Sequence, residues 1–215
     1  MKFLTEAGQR VLEDAVEAIE VESAAEIAIA IRPRARYSLM QHATVGIVAA
    51  VAILAFTLYS PVEFALWQIL VLPVLAGILG ALLVEAAPPL YRFIAPPWLR
   101  YEHVREAAYT AFVERGVHAT RGRTGILVYV ALRERMVELV GDLAVVDKIG
   151  TERLAAWAGT LEAHVPQGAA AFGKALAALA PELAKALPRG PDDVDELPNA
   201  VHVFGAPPRQ RRTLP

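Results

Sequence analysis

The feature that most constrains this sequence is a long apolar block, Ala43–Glu85, placed between two charged arms. No Lys or Arg occurs between Arg36 and Arg92, and the acidic residues of that interval are Glu63 and Glu85. A segment with so little charge is typical of a membrane-embedded region or of a deeply buried core.

A polar break at 59–63 divides the block into the runs Ala43–Tyr59 and Phe64–Val84, about 17 and 21 residues long. A helix of this length crosses about 30 Å of hydrocarbon. Two buried core helices in a soluble protein are the alternative, but a chain of 215 residues has little protein to cover helices that are apolar on every face. The sequence therefore predicts a transmembrane hairpin at 43–85, and the lipid bilayer is the first expected partner.

The charges flanking this hairpin predict its orientation. Basic residues precede it at Arg32, Arg34 and Arg36 and follow it at Arg92, Arg100 and Arg105, whereas the loop between the runs has none. By the positive-inside rule, both arms face the cytoplasm. Met1–Leu4 leads directly into a charged helix without a cleavable signal, so we expect a multi-pass inner-membrane protein with both termini cytoplasmic.

The arms combine strand and helix patterns. Residues 5–22 form an amphipathic helix that Thr5 can cap. Glu26–Ile31 alternates Ile with Ala and predicts a strand buried on both faces. Gly125–Ala131 and Met136–Val140 are separated by four residues and predict an antiparallel hairpin.

The remaining segments are read from their breakers and periodicity. Helices are expected at 102–115, from Thr151 onward and at 169–187, where Pro181 either kinks the helix or opens a second one, and Val201–Phe204 is a candidate edge strand. The proline-rich stretch 86–100 predicts an interfacial connector, and 205–215 predicts a disordered tail.

Two runs, Thr120–Val130 and Arg135–Asp142, resemble the TPM domain, a family that includes a thylakoid-lumen phosphatase-type protein and a photosystem-assembly protein. Ala24–Ile27, Trp157 and Asp195–Asn199 resemble a bacterial membrane-protein branch in which a transmembrane hairpin is inserted in the domain. The resemblance implies an α/β fold: an α/β/α sandwich around a small mixed sheet, built from 1–36 and 101–204 and interrupted by the two-helix hairpin.

Members of that family have been described as phosphatases or metal-binding modules, which directs attention to Asp142. A carboxylate that follows a strand and a Gly can ligate a divalent cation such as calcium. The alternative is a turn residue that bonds its own backbone. The run Gly141–Ala144 departs from the Gly-Asp-Arg-Gly-like turn expected of the family, which weakens a site of several carboxylates.

A second candidate site is basic. His118, Arg121 and Arg123 lie in one turn before a strand and can hold a phosphate or a lipid headgroup. The alternative is that these loop residues are solvated or paired with Glu134 and Glu138.

Composition narrows the function classes. A net charge of −2 gives no basic field for a nucleic-acid partner, and the absence of Cys excludes thiolate chemistry and Cys metal sites. The leading hypothesis is a membrane-anchored, non-enzymatic module that binds or assembles another membrane protein. The rival is a metal-assisted phosphatase or hydrolase with Asp142 at its site, so catalytic activity is left open.

Overall fold

The structure of the chain, a computed structural model, describes residues 2–33, 39–86, 97–190, 194 and 196–204. The described residues divide into two compact units, one drawn from Met1–Ala35 and Arg100–Pro215 and the other from Arg36–Leu99. The predicted tail at 205–215 and most of the predicted connector at 86–100 lie outside the described residues.

Helices and strands follow one another along the chain in a mixed order. They are α1 (Glu6–Glu22), β1 (Glu26–Arg32), α2 (Leu39–Tyr59), α3 (Leu66–Ala86), α4 (Pro97–Glu114), β2 (Gly125–Ala131), β3 (Met136–Gly141), α5 (Leu143–Ile149), α6 (Thr151–Glu162), α7 (Ala169–Ala177), α8 (Ala180–Ala186) and β4 (His202–Val203). Short 3₁₀ turns occur at Val117–Ala119 and Val165–Gln167.

The larger unit is built on a four-stranded mixed sheet with the order β3-β2-β1-β4. β1 runs parallel to β2 and to β4, whereas β2 and β3 are antiparallel. The predicted small mixed sheet and its β2–β3 hairpin are therefore confirmed. β1 and β2 pair along their whole length although the apolar block separates them in the sequence.

Alternation along the strands produces two cores. Ile27, Ile29 and Ile31 of β1 share one core with residues of α1, α6, α7 and α8. Ala30 of β1 and Leu127 of β2 point to the other face, where residues of α4 cover them. Helices thus cover both faces, which explains why these strands are apolar at nearly every position.

Several helix ends follow local chemistry. The Gly8 N–H donates to the Thr5 hydroxyl at 3.2 Å, so the predicted cap of α1 is confirmed. Pro181 lies in the first turn of α8, where its missing N–H costs nothing, so it opens a second helix and does not kink a single one.

Other boundaries differ from the expectation. α4 begins at Pro97, five residues before the predicted start at 102, because a proline is tolerated in the first turn of a helix. By contrast, α6 begins at Thr151 as expected, and Gly150 is its N-cap residue. The short helix α5 was not expected from the sequence.

The smaller unit contains α2 and α3, which pack through small residues. A Cβ at Gly46 would lie 2.8 Å from the Gly77 carbonyl oxygen, and a Cβ at Gly80 would lie 2.9 Å from the Ala49 Cβ. The two helix backbones are therefore in direct contact, as small residues permit in lipid.

The outer surface of this helix pair is apolar. Leu66 is 89% exposed and Leu70 is 73% exposed, and many other large apolar side chains of α2 and α3 are more than half exposed. The windows His42–Tyr59 and Leu66–Leu83 are long and apolar enough to cross a membrane, with 11% of each buried. That exposure distinguishes both helices from the buried core helices of a soluble protein.

Candidate binding groove at the β3 edge

Three of the four residues singled out in the sequence are in contact where the turn before β2 meets the start of α5. They are His118, Arg123 and Asp142. Asp142 is the N-cap residue of α5: its Oδ1 accepts a hydrogen bond from the Leu143 N–H at 2.7 Å, and its Oδ2 lies 3.1 Å from Nε of Arg123. Nη1 of Arg123 donates to the His118 carbonyl oxygen at 2.8 Å. The guanidinium of Arg123 is therefore occupied by groups of the protein itself.

The backbone of Arg121 bonds a residue outside this group. Its backbone N–H donates to both carboxylate oxygens of Glu196, at 3.2 and 3.1 Å. The four residues do not form one basic cluster, because a buried carboxylate, Asp142, neutralises Arg123. Anion binding at His118, Arg121 and Arg123 stays a prediction.

The contacts of the Asp142 side chain bear on the predicted metal site. This side chain is 4% exposed and is engaged by a helix N-terminus and by an arginine. Across the described ranges, no three His, Asp or Glu side chains form a group that could hold a metal ion. These contacts fit the alternative of a turn residue that bonds backbone, and a cation at Asp142 stays a prediction.

A groove of about 450 Å³ follows β3, an edge strand of the sheet. One wall is formed by α4 and the other by α6. Its lining includes Tyr101, Arg105 and Tyr109 of α4, Val137 to Gly141 of β3, and Glu152, Ala155, Gly159 and Glu162 of α6. We call this feature the β3 groove.

Helical periodicity explains both walls. Tyr101, Arg105 and Tyr109 are spaced four residues apart, so they form one stripe of α4. On α6, the apolar stripe that includes Leu154 and Leu161 packs into the core. The positions between these core residues turn Glu152, Ala155, Gly159 and Glu162 toward the strand edge.

The floor of the groove presents backbone groups of β3. The Val137 N–H points away from β2 and donates to Glu162 Oε1 at 3.0 Å. The Asp142 N–H points the other way and donates to the Gly125 carbonyl oxygen. Because backbone direction alternates along an antiparallel strand, the N–H and C=O groups of Leu139 and Gly141 face the groove together with those of Val137.

Acidic side chains dominate the groove. Among its described lining residues, Glu138, Glu152 and Glu162 accompany a single arginine, Arg105, whose Nε lies 4.0 Å from Glu138 Oε1. Burial raises the pKa of Glu138; the nearby Glu162 raises it further, and Arg105 opposes the shift. Burial also raises the pKa of Glu162, opposed by the hydrogen bond from Val137.

The sequence did not reveal this groove. From the sequence, Glu138 is only a possible partner of the basic turn, and neither Glu162 nor Gly159 stands out. The spacing of 152, 155, 159 and 162 along one face of α6 was a readable signal. Its meaning depended on β3 being an edge strand, which requires the strand order.

A second polar cluster lies where β1 and β2 end. Glu134, in the β2–β3 turn, is 5% exposed, and burial raises its pKa against the opposing charges of Arg133, Arg100 and Arg32. Burial also raises the pKa of Tyr129 to about 12. Among the described residues, neither the Tyr129 hydroxyl nor the Glu134 carboxylate has a well-formed hydrogen-bond partner.

Comparison with known proteins gives one informative likeness. No family model and no curated protein matches the chain. The chain is similar in structure to the BA42 protein of the psychrophilic bacterium Bizionia argentinensis, known from an NMR structure, with a TM-score of 0.56 over 94% of this chain and 96% of that chain. At 17% sequence identity, the likeness shows the fold alone.

Proposed function

We propose that this chain is a membrane-anchored, non-enzymatic interaction module. In this proposal, α2 and α3 span the inner membrane, both termini are cytoplasmic, and the α/β domain binds another membrane protein. The observation that carries it is the apolar outer surface of α2 and α3, which soluble proteins rarely expose at this extent.

The position of the hairpin in the sequence supports an anchoring role. The chain leaves the domain after β1 and returns before β2, two strands that pair along seven residues. An insertion of this kind holds a domain near the bilayer from within its own sheet.

The absence of charge from the middle of both spans supports an anchor over a transport pathway. No Asp, Glu, Lys or Arg occurs between Leu66 and Val84 or between Leu39 and Tyr59. Ion and proton pathways place ionisable residues in the membrane. We also propose that the domain belongs to the membrane-protein branch of the TPM family.

Membrane integration is tested by alkaline extraction of membranes that contain the full chain. We expect the wild-type protein to stay in the pellet and the double variant Val51→Arg, Leu75→Arg to be released, because each arginine costs about 3 kcal/mol at the centre of a span. The matched control places arginines at Val21 and Leu143, which are exposed in the α/β domain. Release of the wild-type protein would refute the anchor.

Orientation and activity are tested separately. A reporter fused after Pro215 should be active only on the cytoplasmic side, and an external signal would contradict the proposed topology. The purified full chain should not hydrolyse phosphate esters with or without divalent cations. Turnover that Asp142→Ala abolishes would replace the interaction module with the hydrolase alternative.

A further inference from the structure

We propose that the β3 groove binds an extended, basic segment of a partner membrane protein, which adds to the free edge of β3 as a fifth strand. The inference rests on the proposed function, because it names the partner of the proposed interaction module.

β3 is an edge strand of the sheet. An edge strand offers N–H and C=O groups that pair with an added strand, and proteins usually protect such edges. In β3 the outward set belongs to Val137, Leu139 and Gly141. A segment of about five or six residues, near 20 Å long, would match the six residues of β3.

The shape of the groove suits a single extended chain. Side chains of α4 and α6 rise on either side of the edge and enclose about 450 Å³. Two helix walls exclude a second sheet from the edge but leave room for a single extended chain. The tyrosines Tyr101 and Tyr109 add flat amphipathic surface of the type enriched at protein interfaces.

Glu162 contacts one of the outward backbone groups of β3. Its carboxylate accepts a hydrogen bond from the Val137 N–H, which would instead donate to a carbonyl group of an added strand. Glu162 therefore protects the edge of β3 when no partner is bound and can be displaced when one binds. An entering strand takes over this bond. The displaced carboxylate then becomes available to a cationic side chain of the same segment.

The charged residues of the groove are mainly acidic. Three glutamates against one arginine favour a basic occupant. Cytoplasmic segments next to membrane spans are enriched in Lys and Arg. A domain anchored at the cytoplasmic face meets such segments on neighbouring membrane proteins.

The experiment measures the fluorescence anisotropy of a labelled, end-capped octapeptide of alternating Val and Lys, titrated with the full chain in neutral detergent micelles. Empty micelles provide the blank. We expect saturable binding that weakens at least about tenfold when the internal amides of the peptide are N-methylated, because strand addition requires backbone hydrogen bonds. Equal binding of both peptides would overturn the proposal, and so would the absence of binding to wild-type protein.

A steric variant locates the binding site. A Cβ at Gly159 has no neighbouring atom within 4 Å, so the backbone accepts a side chain here and Gly159→Trp adds bulk to the groove. We expect it to weaken binding at least about tenfold, whereas Ala156→Trp, on the same helix and outside the lining, stays within about twofold of wild type. Equal affinities of the two variants would refute the location.

A charge variant and an assembly measurement complete the test. Glu138→Gln should weaken peptide binding about three- to tenfold, and Glu17→Gln, an exposed position on α1, should not. If Gly159→Trp instead dissociates a homodimer of the chain, the occupant is a second copy and the proposal fails. If the peptide does not bind but the full chain stays in the membrane pellet on alkaline extraction, this inference is refuted and the proposed membrane anchor still stands.

Discussion

The sequence around Asp142 is compatible with two roles for its carboxylate, a metal ligand and a helix cap, and the contacts in the fold match the helix cap. It follows a strand and a glycine, which suits a metal ligand, and it precedes α5, which suits a helix cap. In the structure its two oxygens contact the Leu143 N–H and the Arg123 guanidinium. Arg123 itself adopts φ = 54°, a left-handed conformation that a non-glycine residue rarely adopts without such support.

The first prediction concerns the two contacts of Asp142, the helix cap and the ion pair with Arg123. Asp142→Ala should destabilise the full chain by about 1–3 kcal/mol, because it removes an N-cap and the partner of Arg123. Asp142→Asn keeps a capping oxygen and should recover part of the loss. The measurement is chemical denaturation followed by near-UV circular dichroism; a calcium-dependent stabilisation that Asp142→Ala removes would instead support the metal alternative.

The second prediction concerns the buried Glu134. Burial raises its pKa above the ordinary value of 4.5, so over the interval between the two values the folded state holds a proton that the unfolded state has lost. The contribution of Glu134 to stability should therefore fall as pH rises through that interval. Glu134→Gln has no charge to bury and should lack this decline.

The measurement for Glu134 is the free energy of unfolding of the wild type and Glu134→Gln from pH 4 to pH 8. The difference, wild type minus variant, should decrease with rising pH, while Glu17→Gln serves as an exposed control. Parallel curves for wild type and Glu134→Gln would contradict the assignment. The charged groups that oppose the shift are Arg133, Arg100 and Arg32.

At the scale of elements, the sequence was most informative where an element is determined by contacts among its own residues. Thr5 caps α1 through a bond to Gly8, three residues away, so the start of this helix was readable. The β2–β3 hairpin was readable because four residues join two β-branched runs. α5 was missed because its seven residues show too little periodicity to distinguish a helix from a turn.

The β3 groove shows why the site was harder to predict than the fold. Its lining comes from α4, β3 and α6, and only the strand order makes β3 an edge. Glu162 contacts Val137 from 25 residues away, so no local pattern connects them. Sequence reasoning instead favoured the turn at Arg123, where charged residues are adjacent in the chain.

The third prediction concerns the contact between α2 and α3. Gly46→Leu should separate the two helices, because a Cβ at this position would lie 2.8 Å from the Gly77 carbonyl oxygen. Ala55→Leu, at an exposed position of α2, is the matched control. Thermal unfolding in detergent should show a lower midpoint for Gly46→Leu alone, and equal midpoints for both variants would place the contact elsewhere.

At the scale of the whole molecule, the proposed function combines a membrane anchor, α2 and α3, with a strand edge, β3, that binds a partner. A single extended strand in an open groove gives modest affinity, because ordering the peptide offsets much of the gain from pairing. Confinement of both partners to one bilayer replaces encounter in three dimensions by a high effective concentration. The anchor would then supply a large part of the binding strength without any contact of its own.

The last prediction compares the same Val-Lys segment free in solution and attached to the cytoplasmic end of a single transmembrane helix. In proteoliposomes that contain the full chain, the membrane-attached segment should bind with an apparent affinity about 100-fold tighter than the soluble peptide. Energy transfer between labels on the segment and on the chain measures this association at increasing lipid dilution. Gly159→Trp should weaken the association of the attached segment at least about tenfold relative to wild type and Ala156→Trp should preserve it, because the anchor raises local concentration but the groove makes the contacts. Equal affinities for the attached and soluble segments would separate the anchor from recognition and contradict the joint role.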